Sequence, residues 1–143
     1  VPTVALRFSP LAEHVRTARL VAVSVARRAG FCEDQLDEIR IAIGEACARA
    51  VAPAPTASGG LGLSPAPAEV GLVDMRLCDD DDRLDVTVVQ CDEHGDPLEG
   101  PAGSLAATDP LSMALMAGTA DSSTQTAAAG GMVLSWSRQA DGA

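Results

Sequence analysis

In the stretch IRIAIGEACARAV, residues 39–51, a carboxylate and a guanidinium stand one helical turn apart, Glu45 and Arg49. A carboxylate so placed can accept a proton or position a water, and a guanidinium can neutralise an anion through its fork of N–H donors. The plain alternative is an i,i+4 ion pair with the acid first, about 0.2–0.5 kcal/mol on an exposed helix. Pairing of that kind ties the carboxylate down, which suits neither proton abstraction nor water activation. Other reactive groups are less organised. Cys32, Cys47, Cys78 and Cys91 include no CxxC pair, and Cys91 with His94 makes a lone CxxH. Zinc needs four well-placed ligands, so these cysteines read as small hydrophobes in a reducing cytoplasm. The run Asp79 to Asp82 lacks the spacing of an EF-hand loop and reads as a solvated turn.

All ten basic residues are arginine. Without lysine there is no Walker A loop, no pyridoxal Schiff base and no lysine general base. The net charge of −10 repels nucleic acid backbones and anionic membranes, and favours a basic region on a protein partner. No apolar run reaches the ~20 residues of a membrane span, and no signal peptide is visible, so a cytoplasmic protein is expected. The 143 residues suit one domain, 1–143. Its core must be built from Val, Leu, Ile and Ala, because Phe8, Phe31 and Trp136 are the only aromatics.

The elements that must position these groups can be read along the chain. Val4 to Phe8 alternates as a short strand. A helix follows, with Ser9 as cap, Pro10 in the first helical position, Glu13 against the dipole and Gly30 at the end. Leu11, Val15, Ala18, Ala22, Val25 and Ala29 recur on one side of it. A second helix spans about Glu33 to Ala52, with Leu36, Ile39, Ile43, Ala46, Cys47 and Ala50 in one apolar stripe. At ~100° per residue Glu38, Glu45 and Arg49 share another side, and Ile41 and Ala48 widen the apolar surface. Two strand-like runs, EVGLVDMRLC and LDVTVVQC, flank the aspartates as a hairpin. Asp109 can cap a helix from Pro110 to about Ala117, and GGMVLSWSR, from Gly130 to Arg138, closes the chain as a strand. The Pro- and Gly-rich stretches 53–67 and 93–109 read as flexible loops. Hairpin strands with helices collected apart predict an α+β fold. The architecture expected is a two-layer sandwich, a mixed or antiparallel sheet with helices on one face.

The order and the residues resemble the anti-sigma-factor kinases of the GHKL (Bergerat-fold, histidine-kinase-like) ATPase superfamily, the bacterial partner-switching regulators. Four features carry the resemblance over nearly the whole chain: ARLVAVSVARRAGF, EDQLDEIRIAIGEACARAV, VVQCDEHGD and AAGGMVLSWSR. The second is similar to the family's Glu-Ala-x-x-Asn-Ala box. The third is similar to its Asp/Gly turn, and the fourth to its Gly-Gly strand.

The resemblance implies ATP or ADP as cofactor. Glu45 then takes the place of the general base or water positioner, and Asp92 or Glu93, with Gly95, that of the adenine-reading turn. Gly130 and Gly131 take the place of the Gly-Gly strand. Arg49 stands where the family has the magnesium-binding Asn. A guanidinium has only N–H donors and a permanent charge, so it cannot coordinate a cation; it can instead replace Mg²⁺ as phosphate counter-charge. The implied partners are a sigma factor and/or an anti-anti-sigma antagonist, with a homodimer implied as well. The expectation is therefore a binding regulator with weak or absent kinase activity. The alternative is an active ATP-dependent Ser/Thr kinase with Glu45 catalytic.

Overall fold

The structure, a computed structural model, describes residues 2–51, 72–80, 82–97, 110–126 and 131–138. The expected loop 53–67, most of loop 93–109, the Asp109 cap and Gly130 lie outside the described residues.

Helix α1 (Ala12–Arg28) starts later than its sequence suggests. The Leu11 N–H turns back to the Ser9 carbonyl at 2.7 Å, a tight turn around Pro10, and the His14 Nδ1 meets the same carbonyl at 3.1 Å. Ser9 therefore does not cap the helix. The cap position falls to Leu11, which offers no side-chain hydrogen bond and is exposed rather than part of the buried stripe.

The other end follows expectation. Gly30 adopts φ +94°, its N–H reaches the Arg27 carbonyl, and the Phe31 N–H reaches that of Ala26. This is the Schellman closure, which favours glycine because a side chain at positive φ is strained. The Arg138 guanidinium lies over Gly30 and donates to the Ala29 carbonyl at 3.0 Å, so an added Cβ would come within 2.9 Å of its Nη1. Gly30→Ala is expected to cost about 1–2 kcal/mol, read as a lower urea midpoint at unchanged slope.

Helix α2 (Glu33–Val51) buries its predicted stripe completely, from Leu36 through Ala50. Ile41 and Ala48, expected to extend that surface, face solvent. Helix α3 (Pro110–Thr119) packs on α2.

The strands are β1 (Thr3–Phe8), β2 (Leu72–Asp80), β3 (Arg83–Cys91), β4 (Ser122–Gln125) and β5 (Met132–Ser137). They form one antiparallel sheet in the order β1-β2-β3-β5-β4. The β2–β3 register closes on Asp80↔Arg83, so Asp79 and Asp80 are strand residues rather than turn residues. Strand β4 is not legible as a strand in sequence: Ser-Ser-Thr-Gln has no apolar alternation, and it is placed by pairing with β5.

The fold is thus the expected two-layer α+β sandwich, with the helices on one face. Val73, Met75, Leu77, Leu84, Val86, Val88, Met132, Leu134 and Trp136 meet the helices in the core. The opposite face carries charge, with Arg76 and Arg7 on Asp74 and Arg83 on Asp85. Burial alone would raise the Asp85 carboxyl, but hydrogen bonds from Ser135 and Arg83 and the Arg83 charge bring it below the usual range.

Candidate functional site

Four elements meet at one end of the sheet. The last turns of α2 carry Glu45 and Arg49. The Gln90 amide donates to the Ala50 carbonyl at 2.6 Å and pins the end of β3 to the end of α2. Strand β5 begins beside that end of β3, with Met132 opposite Val88 and the buried Gly131 just before it. Helix α3 runs along β5. Its Met113 sulfur meets Gln125 at 3.9 Å near Met132, and its Thr119 carbonyl accepts the Trp136 indole N–H at 2.7 Å. The first turn of α3, with the buried Ser112, therefore points to the same end as Arg49 and Asp92.

The expected Glu45–Arg49 ion pair does not form among the described residues. Glu45 is half-buried, whereas Arg49 is only 5% exposed. The helical angle grouped Arg49 with the polar residues, yet in the folded chain it is buried. Burial of a permanent cation is costly unless compensated, so this position is a built feature of the site rather than a surface pair.

After β3 the chain makes a tight turn. The Asp92 Oδ1 accepts the N–H groups of His94 at 2.8 Å and Asp96 at 3.0 Å, and the Gly95 N–H reaches the Asp92 carbonyl. Gly95 sits at φ +89°, and Cys91 bridges to Pro97. The hydrogen bond from Asp96, with a lesser one from His94, holds the Asp92 carboxyl below its usual range. Glu93 is exposed on the same turn and lies within 3.6 Å of the His94 ring. Asp92, Glu93 and Gly95 thus share one turn at the site, and Asp92 has one oxygen already committed to holding it. Gln90 and Ser112 were not singled out in the sequence. Gln90 lies two residues before Asp92 on the helix-facing side of β3, and this parity is the one signal that could have found it.

The donor set can be tested against the groups such a site would hold. No group of three or more His, Cys, Asp or Glu side chains gathers for a metal among the described residues. Arg49, which the resemblance sets where a magnesium-binding Asn is expected, supplies only N–H donors and does not fit a metal ion.

The cysteines take no part. Burial pushes the Cys47 thiol up to about 12, against a smaller downward pull from Arg19, and burial also raises Cys91. In the native protein a thiol reagent is expected to modify the half-buried Cys32 and Cys78, and to reach Cys47 and Cys91 only on unfolding. Mass spectrometry of the labelled peptides reads the order; early labelling of Cys47 would contradict it.

A five-stranded antiparallel sheet with helices on one face, and a site at the end of its third strand beside a Glu-bearing helix, defines an α+β domain of the ATPase type. The chain belongs to the histidine kinase-like ATPase domain family, whose model matches residues 8–137. In shape it is similar to the RsbU and RsbW domains of Rv1364c from Mycobacterium tuberculosis, with a TM-score of 0.58 at 16% sequence identity. That match covers 97% of this chain and 32% of the other, and at such identity it concerns the fold alone. No curated protein matches the chain. No helix among the described residues is long and apolar enough to cross a membrane.

Proposed function

We propose that this chain is a regulator of the anti-sigma type, which binds a sigma factor and/or an anti-anti-sigma antagonist and has weak or absent kinase activity. One observation supports the reading: Arg49, set by the resemblance where an oxygen ligand for a metal-dependent phosphoryl transfer is expected, is a buried guanidinium. Partner binding then draws its energy from apolar patches with charged rims, not from turnover. A dimer and a cytoplasmic location belong to the same reading. The active-kinase reading draws on Glu45, which stays half-buried in its expected helix.

The test supplies labelled ATP, Mg²⁺ and a matched anti-anti-sigma protein. Absence of label transfer, together with retention of a sigma factor or antagonist on the immobilised chain, is the expected result. Robust Mg²⁺-dependent phosphorylation would reject the proposal.

A further inference from the structure

Behind the Asp92 turn, on the sheet face opposite the helices, the buried Asp74 stands between two guanidinium groups. Arg76 holds one of its carboxylate oxygens at 3.0 Å. Arg7, the partner of Asp74 in the β1–β2 register, meets the other oxygen through Nε at 3.8 Å. One strand further on, the Cys91 thiol lies among the same charges. Burial raises it most; after burial, Asp74 and Asp92 raise it further, and Arg7 and Arg76 pull it down. Arg7 is therefore within electrostatic reach of the end of β3, where the turn begins.

The contact with the turn itself is made at Gly95. A Cβ added there would stand 2.9 Å from Arg7 Cζ and nearer still to Nη2, so the guanidinium fills the space a side chain would need. Gly95 is thus required twice, by its φ of +89° and by the arginine packed on it. The turn is acidic as well as tight: Asp92, Glu93 and Asp96 fall within five residues. Like charges so gathered push a turn open, and a cation against its backbone offsets them. Asp92 Oδ1 is already occupied by the N–H groups of His94 and Asp96, which leaves Oδ2 as the acceptor the turn can offer a ligand. Where Oδ2 points depends on the turn, and the turn rests on Arg7.

We propose that Arg7, anchored by Asp74 and seated against Gly95, is a positioning residue of the candidate nucleotide site: it fixes the Asp92 turn so that Oδ2 selects a purine bearing an amino group over one bearing a carbonyl at the same place. A carboxylate accepts from the amino group of adenine and repels the carbonyl oxygen of guanine. The inference rests on the reading of the Asp92 turn as the base-reading one.

The test titrates the full chain calorimetrically with ATP, GTP and inorganic tripolyphosphate. The parent is expected to prefer ATP to GTP. Arg7→Gln, which leaves Asp74 paired with Arg76, is expected to weaken ATP about tenfold and to leave GTP and tripolyphosphate unchanged. Asp92→Asn should lose the same preference, and the double variant no more than either alone, because Arg7 acts through the turn. Gly95→Ala, which displaces the guanidinium from the other side, should reproduce the loss even where Arg7→Gln folds poorly. Arg83→Gln, on the same sheet face, should change none of the three titrations. The amide hydrogens of His94 and Asp96, both donated to Asp92, should exchange faster in Arg7→Gln. The proposal is overturned by an unchanged ATP-to-GTP ratio in Arg7→Gln, by equal weakening of tripolyphosphate, by additive losses in the double variant, by unchanged exchange, or by a parent that binds ATP no better than GTP. The regulator reading is tested by label transfer and partner retention, so its failure and that of this inference are separate results.

Discussion

Trp136→Ala is expected to cost about 3–5 kcal/mol, the range for emptying a fully buried aromatic site. Trp136 is 1% exposed and sits on β5 opposite Leu84. Its indole N–H donates to the Thr119 carbonyl at 2.7 Å, so the side chain fastens the end of α3 to the sheet as well as filling the core. A domain of ordinary stability has only ~5–15 kcal/mol to lose. The variant should therefore unfold at a much lower urea concentration, followed by circular dichroism because the only tryptophan is gone. Trp136→Phe keeps most of the volume and loses the hydrogen bond to Thr119. It should fall between the two, with at least ~1 kcal/mol lost for the orphaned carbonyl. A midpoint for Trp136→Ala within the error of the parent would show that α3 and the sheet do not depend on this contact.

The second large effect is chemical. Arg49→Asn puts an amide oxygen where the parent has only N–H donors. In the parent, ATP binding is expected to be the same in Mg²⁺ and in EDTA within about twofold, since Arg49 itself supplies the counter-charge. In Arg49→Asn the nucleotide should bind about tenfold tighter with Mg²⁺ than without, a difference of ~1.4 kcal/mol, read by calorimetric titration. Arg49→Ala, with neither charge nor oxygen, should bind poorly under both conditions. A parent protein that needs Mg²⁺ for tight binding would remove the basis for the regulator reading. Thermal melts of the parent and the two variants separate loss of binding from loss of fold, because Arg49 is buried and its shortening also changes packing.

Much of the frame was legible because it follows local rules. The spacing of Leu36, Ile39, Ile43, Ala46, Cys47 and Ala50 specifies which side of α2 is covered, and all six are buried. Gly30 marks the end of α1, since few residues other than glycine tolerate its φ. The alternation Leu84, Val86, Val88 orients β3 without reference to its neighbours, and all three face the core. Asp92, Glu93 and Gly95 lie within four residues of one another, so their common turn needed no long-range information.

What tertiary structure alone decided depends on groups distant in the chain. Ser-Ser-Thr-Gln becomes a strand because β5 offers it a ladder, not because of its side chains. Arg49 is inside although its angle on α2 groups it with polar residues, so the assembled fold rather than the helix decides its burial. A helical wheel gives an angle, but it cannot say which angles a later element will cover. Periodicity records the face each segment prefers to bury; which polar groups are buried with it is set by what packs above, and that is a property of the whole chain.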